Sequence, residues 1–177
     1  MDFIDLNKAY LKDLFPMLRI DQLVDAIIGH PRMSFLDAFQ GYYQIPLTLD
    51  DEERTVFVTP IGNYHYKVIP FDLNNAGATY QRMMTRMFEP QLGKNIEIYI
   101  DDMVVKSKIE SEHVNDLENI FGILRKQKLL LNASKCSFGV GLRKFLGYMV
   151  THRKIEVNPD KIKAINNLQP PRNPKEV

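Results

Sequence analysis

The sequence predicts an α+β domain, an antiparallel sheet backed by helices, on three observations. Short runs rich in β-branched and aromatic residues come in pairs across tight loops, which is hairpin patterning. Longer stretches place apolar residues three and four apart, which is helical patterning. No internal repeat or low-complexity tract competes with a globular reading of the 177 residues.

Asp2 to Arg19 mixes Asp, Asn, Lys and Pro16 without sustained periodicity and reads as irregular. Ile20 to Ile28 carries apolar residues at 20, 23, 24, 27 and 28, a helix that Gly29 stops. Met33 to Leu36 is a short strand that delivers Asp37 at its end, and a turn with Gly41 follows. Asp50 to Glu53 reads as a solvated acidic turn. Thr55–Val58 and Tyr64–Ile69 flank Pro60-Ile61-Gly62-Asn63 and form a hairpin. Asn75 is placed to cap a helix running to about Phe88 and ended by Pro90, with Met83, Met84 and Met87 as its packing face.

Ile96–Ile100 and Met103–Val105 are strands with Asp101-Asp102 between them, so both carboxylates fall at the tip of a tight hairpin. Residues 111–127 form an amphipathic helix, with Val114, Leu117, Ile120, Phe121 and Leu124 on its apolar face. Strand-like segments follow at Leu129–Leu131 and Phe145–Val150. Asn158-Pro159 opens a last helix through Leu168, with proline in the favoured first turn. Gln169 to Pro174 reads as a linker, with further sequence expected beyond it.

Composition excludes some classes. A hydrophobic fraction of 45% and a charged fraction of 25% are those of a globular protein. No apolar run approaches the roughly 20 residues needed to span a bilayer, and no secretory pattern opens the chain. Cys136 is the single cysteine and has no internal disulfide partner, so a cytoplasmic or nuclear protein is expected rather than a secreted one. The net charge of +1 conceals a gradient. Residues 1–102 hold nine Lys/Arg against fifteen Asp/Glu, whereas residues 103–154 hold ten against four. An acidic region suited to metal ions therefore adjoins a basic one suited to phosphates, unless the charges are an ordinary surface scatter.

The Asp-Asp pair between two apolar strands needs a reason, because aspartate disfavours strands and adjacent like charges repel. A divalent cation removes both objections, since Mg²⁺ prefers hard oxygen ligands. A third carboxylate from another strand would let two metals stabilise the attacking and leaving oxygens of a phosphoryl displacement. Asp37 is the best partner, being the residue that follows a strong strand pattern elsewhere. A plain acidic turn remains the alternative.

The residues around these aspartates carry a resemblance. Phe35-Leu36-Asp37-Ala38 with Gly41-Tyr42-Tyr43-Gln44-Ile45 resembles the first palm motif of gypsy-type long-terminal-repeat retrotransposon reverse transcriptases. Thr59-Pro60-Ile61-Gly62 with Tyr66, then Pro70-Phe71 and Asn75 to Arg82, resembles the second. Tyr99-Ile100-Asp101-Asp102 resembles the YxDD box. Leu131-Asn132, Lys135 to Phe138 and Phe145 to Tyr148 resemble the approach to the thumb, and Asn158 to Lys161 with the proline-rich tail resembles the connection toward ribonuclease H. The likeness covers essentially the whole chain, and its wording is nearest to plant elements.

The resemblance implies a polymerase palm and an RNA-directed DNA polymerase activity. Residues 1–30 would be partial fingers and residues 31–151 the palm, with a fingers hairpin inserted at about 46–70. Residues 152–177 would lead toward a thumb and ribonuclease H region. Asp37, Asp101 and Asp102 would be catalytic and would hold two Mg²⁺ ions, or Mn²⁺. Ala38, Tyr42, Phe71, Asp72 and Gln81 would contact the nucleotide, Tyr42 by excluding a ribose 2′-hydroxyl. Tyr99, Asn75, Gly77, Arg82 and Gly147 would contact nucleic acid. The implied partners are an RNA or DNA template, a primer strand and deoxynucleoside triphosphates. In an intact element the protein would also enter a retrotransposon particle.

Plainer uses stay open. Tyr42, Phe71 and Phe145 also suit a core, Cys136 and Phe138 suit packing, and His113 reads as a helix start.

Three departures stand out. Asp72 and Lys154 occupy positions where the family has glycine, and the family's basic fingers segment precedes the residues matching Asp2-Phe3. These departures motivate a second expectation, a catalytically impaired relic that keeps the palm and weak nucleic-acid affinity. A metal-dependent phosphodiesterase is disfavoured, because no catalytic histidine or lysine accompanies the aspartates in the sequence.

Overall fold

The computed structural model describes residues 3–16, 19–146, 148–151, 155–157 and 159–167. The expectations for Gly147, Lys154 and the proline-rich tail lie outside these residues.

Its centre is a four-stranded antiparallel sheet in the order β4-β5-β1-β6. The strands are β1 (Arg32–Asp37), β4 (Ile96–Tyr99), β5 (Asp102–Ser107) and β6 (Ser137–Val140). Helix α2 (Ile20–Ile27) covers one face through Leu23, Val24 and Ile27, which meet Met33, Phe35 and Val104. Helices α4 (Ala76–Met87) and α5 (His113–Gln127) cover the other, where Tyr80, Met84, Ile120 and Leu124 meet Leu36, Ile96, Ile98, Met103 and Val105. Because both faces are covered, the middles of the central strands are buried on both sides, with apolar residues such as Phe35-Leu36 and Met103-Val104-Val105 side by side and with Ser34, Glu97, Lys106 and Ser107 buried among them.

Two smaller sheets flank this core. β2 (Phe57–Thr59) pairs with β3 (Gly62–Tyr64), and β7 (Leu142–Phe145) pairs with β8 (Tyr148–Thr151), which pairs with β9 (Ile155–Val157). α6 (Pro159–Asn166) follows.

Several expectations are corrected. The opening segment contains α1 (Ile4–Ala9). The acidic run is a short helix, α3 (Leu49–Arg54), whose start is capped by Thr48 Oγ1 accepting from the Asp51 amide. Its three acids in the first turn complement the helix dipole. Asn75 stands at the start of α4 but makes no capping hydrogen bond. The fingers-like hairpin is shorter than expected, since Thr55 is buried and its hydroxyl accepts from the Tyr66 amide instead of continuing the ladder. Leu129–Leu131 contributes a single bridge, Leu131 to Ala38, and β6 was not foreseen.

On the α2 face, Lys106 and Glu97 form an ion pair at 2.7 Å with side chains 4% and 9% exposed. The same ammonium donates to the Ala26 carbonyl at 2.7 Å, near the C-terminal end of α2 where a cation is favoured. Lys106→Met leaves Glu97 buried without its partner and lowers the unfolding free energy by roughly 3–5 kcal/mol. Adding Glu97→Leu recovers most of that loss; urea melts of the two variants check both outcomes.

Candidate functional site

Strand register creates the site. In the β1–β5 ladder Asp37 is the direct partner of Asp102, and both follow strand positions whose neighbours, Phe35 and Val104, face α2. Opposed residues of an antiparallel pair lie about 4.5–5.5 Å apart at Cβ, so two like charges are set against each other. Asp102 belongs to β5, while Ile100 and Asp101 form the two-residue turn after β4. Thus the tip holds Asp101 and not both aspartates, a refinement of the expected hairpin.

The turn is strained and braced. Ile100 has φ +50, a left-handed conformation unfavourable for a β-branched residue. Gln81, 1% exposed, holds it: its Oε1 accepts from the Ile100 amide at 2.8 Å and its Nε2 donates to the Ile98 carbonyl at 3.2 Å. The Ala38 amide, itself buried, donates to the Asp101 carbonyl at 2.9 Å. Gln81 and Ala38, expected near the nucleotide, are therefore placed behind the aspartates that they position.

Asp101 is the least comfortable of the three. Its Oδ1 is buried without a completed hydrogen bond, as is the hydroxyl of Tyr80 beside it. Burial pushes its carboxyl above the usual carboxylate range, and the charges of Asp37 and Asp102 push in the same direction. Tyr80 and Lys135 oppose the shift but do not cancel it. Gly41 makes the space: a Cβ there would collide with Asp101 Oδ1 and come within 2.9 Å of the Tyr80 ring.

Lys135 approaches from the loop before β6, with Nζ 3.4 Å from Asp37 Oδ2, while the Asn132 amide donates to the Asp37 carbonyl at 2.8 Å. A lysine therefore lies beside the aspartates, as an ion-pair partner of Asp37. Among the described residues no three carboxylate, histidine or cysteine groups converge closely enough to hold a metal ion as they stand. The donor chemistry nevertheless fits a hard divalent cation: three carboxylates, one with an unpaired buried oxygen, whose mutual repulsion a cation would remove.

An aromatic wall adjoins this centre. Tyr42 meets Phe71 edge-on at 5.7 Å and Tyr80 at 5.5 Å, and Tyr43 meets Phe71 at 5.1 Å. Burial, then the negative charge of Asp101, raises the Tyr42 phenol above its ordinary value. Phe71 is half exposed, so it is a surface aromatic rather than a core one. Asp72 has φ +71, which explains why glycine suits this position and why aspartate, tolerant of left-handed geometry, can replace it. Gly77 lies near the Tyr42 hydroxyl, and Tyr99 is half buried at the end of β4.

Asn75 and Arg82, expected at nucleic acid, are engaged internally. Asn75 accepts from the Asp13 amide and donates to the Leu11 carbonyl, both at 2.9 Å. Arg82 pairs with Asp13 and lies over the Phe15 ring at 5.1 Å. The Phe15 amide and the Arg82 guanidinium together lower the Asp13 carboxyl below its ordinary value.

Sequence reasoning did not single out Gly41, Tyr80 or Lys135. The i, i+4 spacing of Tyr80, Met84 and Phe88 would have placed Tyr80 on the buried helix face, whereas the basic gradient and the motif at Lys135 to Phe138 mark the Lys135 segment without its partner.

With this geometry in place, comparison with known proteins gives a consistent answer. Residues 1–150 match the family model described as reverse transcriptase (RNA-dependent DNA polymerase). The chain is 33% identical over its whole length to the retrovirus-related Pol polyprotein from transposon 297 of Drosophila melanogaster. It is 30% identical over 97% of its length to that from transposon gypsy of the same organism. It spans 17% and 16% of those two polyproteins. Among solved structures it is similar to the foamy viral protease-reverse transcriptase. The complex with double-stranded DNA gives a TM-score of 0.90 at 22% identity, covering 99% of this chain and 31% of the other. The complex with an RNA/DNA hybrid gives 0.86 at 22%, covering 99% and 24%.

Two outcomes test the site. Gly41→Ala forces Asp101 and Tyr80 apart and costs about 1–3 kcal/mol of stability, measured by thermal melts. Asp101→Asn melts higher than the parent at neutral pH without divalent metal. Because the folded carboxyl sits above its ordinary value of 3.8, the parent gains stability as pH falls through that raised value, and the gain is complete below 3.8. The advantage of the Asn variant therefore shrinks in acid.

Proposed function

The chain belongs to the reverse transcriptase (RNA-dependent DNA polymerase) family, and on that premise we propose that it extends a primer by template-directed addition of deoxynucleotides. The observation that carries this reading is the register that sets Asp37 opposite Asp102 with Asp101 in the adjoining turn. Asp37, Asp101 and Asp102 would hold two Mg²⁺ ions, or Mn²⁺. Held there, the ions would supply Lewis acidity toward a primer 3′-hydroxyl and a pyrophosphate leaving group. Around them, Gln81 and the Ala38 amide fix the turn, Tyr42 would exclude a ribose 2′-hydroxyl, and Phe71, edge-on to it, would lie under the nucleotide base and sugar. Lys135 offsets part of the carboxylate charge.

Residues 1–30 and the hairpin at about 46–70 serve as fingers, residues 31–151 as palm, and residues 152–177 as the connection onward. Nucleic acid bound to the foamy viral enzymes supports a template and primer as partners. A cytoplasmic or nuclear site of action accompanies this reading.

Purified protein, Mg²⁺, a primed RNA template and labelled deoxynucleotides test it. Asp102→Ala should lower extension by roughly a hundredfold or more, since metal stabilisation is worth several kcal/mol and each 1.36 kcal/mol is tenfold. Absence of extension by the parent, with the variant equally blank, would sink the proposal.

Asp72 favours a second reading, an impaired relic with the palm intact. Asp72 follows Phe71 in the chain, and a triphosphate bound there would meet added negative charge. On that reading Asp72→Gly restores extension, and activity in the unmodified chain excludes it.

A further inference from the structure

Behind the sheet lies a buried polar network that the catalytic reading does not use. Ser34 of β1, Ser107 of β5 and His113 at the start of α5 are each at most 5% exposed. His113 Nε2 lies 2.7 Å from Ser34 Oγ and its Nδ1 lies 2.8 Å from Ser107 Oγ. Ser107 donates to Asp116 Oδ2 at 2.5 Å, and Asn95 Nδ2 donates to Asp116 Oδ1 at 3.3 Å. From β6, the Gly139 amide donates to Ser34 Oγ at 3.0 Å.

Donor counting fixes the direction of this chain. Ser107 spends its only proton on Asp116, so it can only accept from His113, and Nδ1 must carry the imidazole proton. Nε2 is then the acceptor for the Ser34 hydroxyl, which itself accepts from Gly139. One neutral tautomer satisfies the imidazole and both serine hydroxyls.

We propose that His113 is a proton-sensitive lock that fastens β6 and α5 to the β1–β5 pair while it stays neutral. Protonation places a second N–H against Ser34 and leaves the serine proton without an acceptor in a buried site. The charged groups around the ring divide. Asp116 on α5 favours the cation. Arg32 on β1, itself paired with Glu110 in the turn before α5, opposes it, and β6 presents no charged residue. The helix N-terminus adds a partial positive charge against protonation. Burial outweighs Asp116, so the imidazole stays below its ordinary value of 6.5.

The sign follows. A folded value below 6.5 means that the unfolded chain takes up a proton that the folded chain refuses. The lock is fully effective above 6.5 and weakens as pH falls below it. Opening β6 would loosen the loop that brings Asn132 and Lys135 to Asp37. The proposal does not depend on polymerase activity, and neither does its test.

Nitrogen-15 spectra of the histidine-labelled protein at pH 7.5 should show His113 as the Nδ1–H tautomer, with no titration near 6.5. An Nε2–H tautomer, or a midpoint at or above 6.5, overturns the lock. Between pH 7.5 and 5.5 the unfolding constant should rise more in the parent than in His113→Gln, by up to the roughly tenfold limit of one linked proton. Equal pH dependence in the two proteins would also overturn it. If His113→Gln does not fold, the tautomer and titration of the parent decide alone.

Discussion

Three carboxylates held close together in a partly buried place dominate this structure. Asp37 and Asp102 oppose each other because the β1–β5 register admits no other partner, and Asp101 follows from the two-residue turn beside them. A shift of one residue would turn Leu36 and Phe35 to the wrong faces, so the core enforces the electrostatic conflict. Much of what surrounds the triad makes that conflict tolerable. Gly41 gives Asp101 room, Gln81 holds an isoleucine in a left-handed turn, and Lys135 sets a positive charge beside Asp37. Strain of this kind persists only where surrounding contacts over-determine it.

The same economy governs the N-terminal segment. Asn75 and Arg82 stand where sequence resemblance expects contact with nucleic acid, yet both hold residues 11–15 against α4. The two uses are compatible if a bound strand competes for these groups. In the structure as it stands they do the work of packing an otherwise irregular stretch. Asn7 adds to this by donating to the Asp72 carbonyl at 2.7 Å and accepting from the Asn74 amide at 2.9 Å.

The central sheet was legible because short apolar runs, Phe35-Leu36 and Met103 to Val105, mark strands covered on both sides, although Ser34, Glu97 and Lys106 are buried in them too. The aspartates were legible because they interrupt those runs. What stayed hidden depends on contacts between distant segments. α3 was read as a loop, since its acids suggest solvent and its stability comes from the Thr48 cap and first-turn charge. Lys135 lies 98 residues from Asp37, and no local pattern announces such a meeting. The role of Gln81 was hidden for a related reason: a glutamine on an apolar helix face shows its purpose only once the Ile100 turn is placed against it. Motif resemblance found these segments without telling what each side chain touches.

Asp72 separates fold from chemistry more cleanly than any other position. Its φ of +71 asks for glycine, yet aspartate is among the few residues that accept this geometry. Asn7 also holds the backbone just after Asp72, through the Asp72 carbonyl and the Asn74 amide, by bonds that do not involve the Asp72 side chain. Exchange of glycine for aspartate therefore leaves the aromatic wall of Tyr42, Tyr43 and Phe71 intact and adds a carboxylate at its edge. Whatever this substitution changes, it changes through charge and bulk beside Phe71 in the chain and not through the architecture that holds the aspartates.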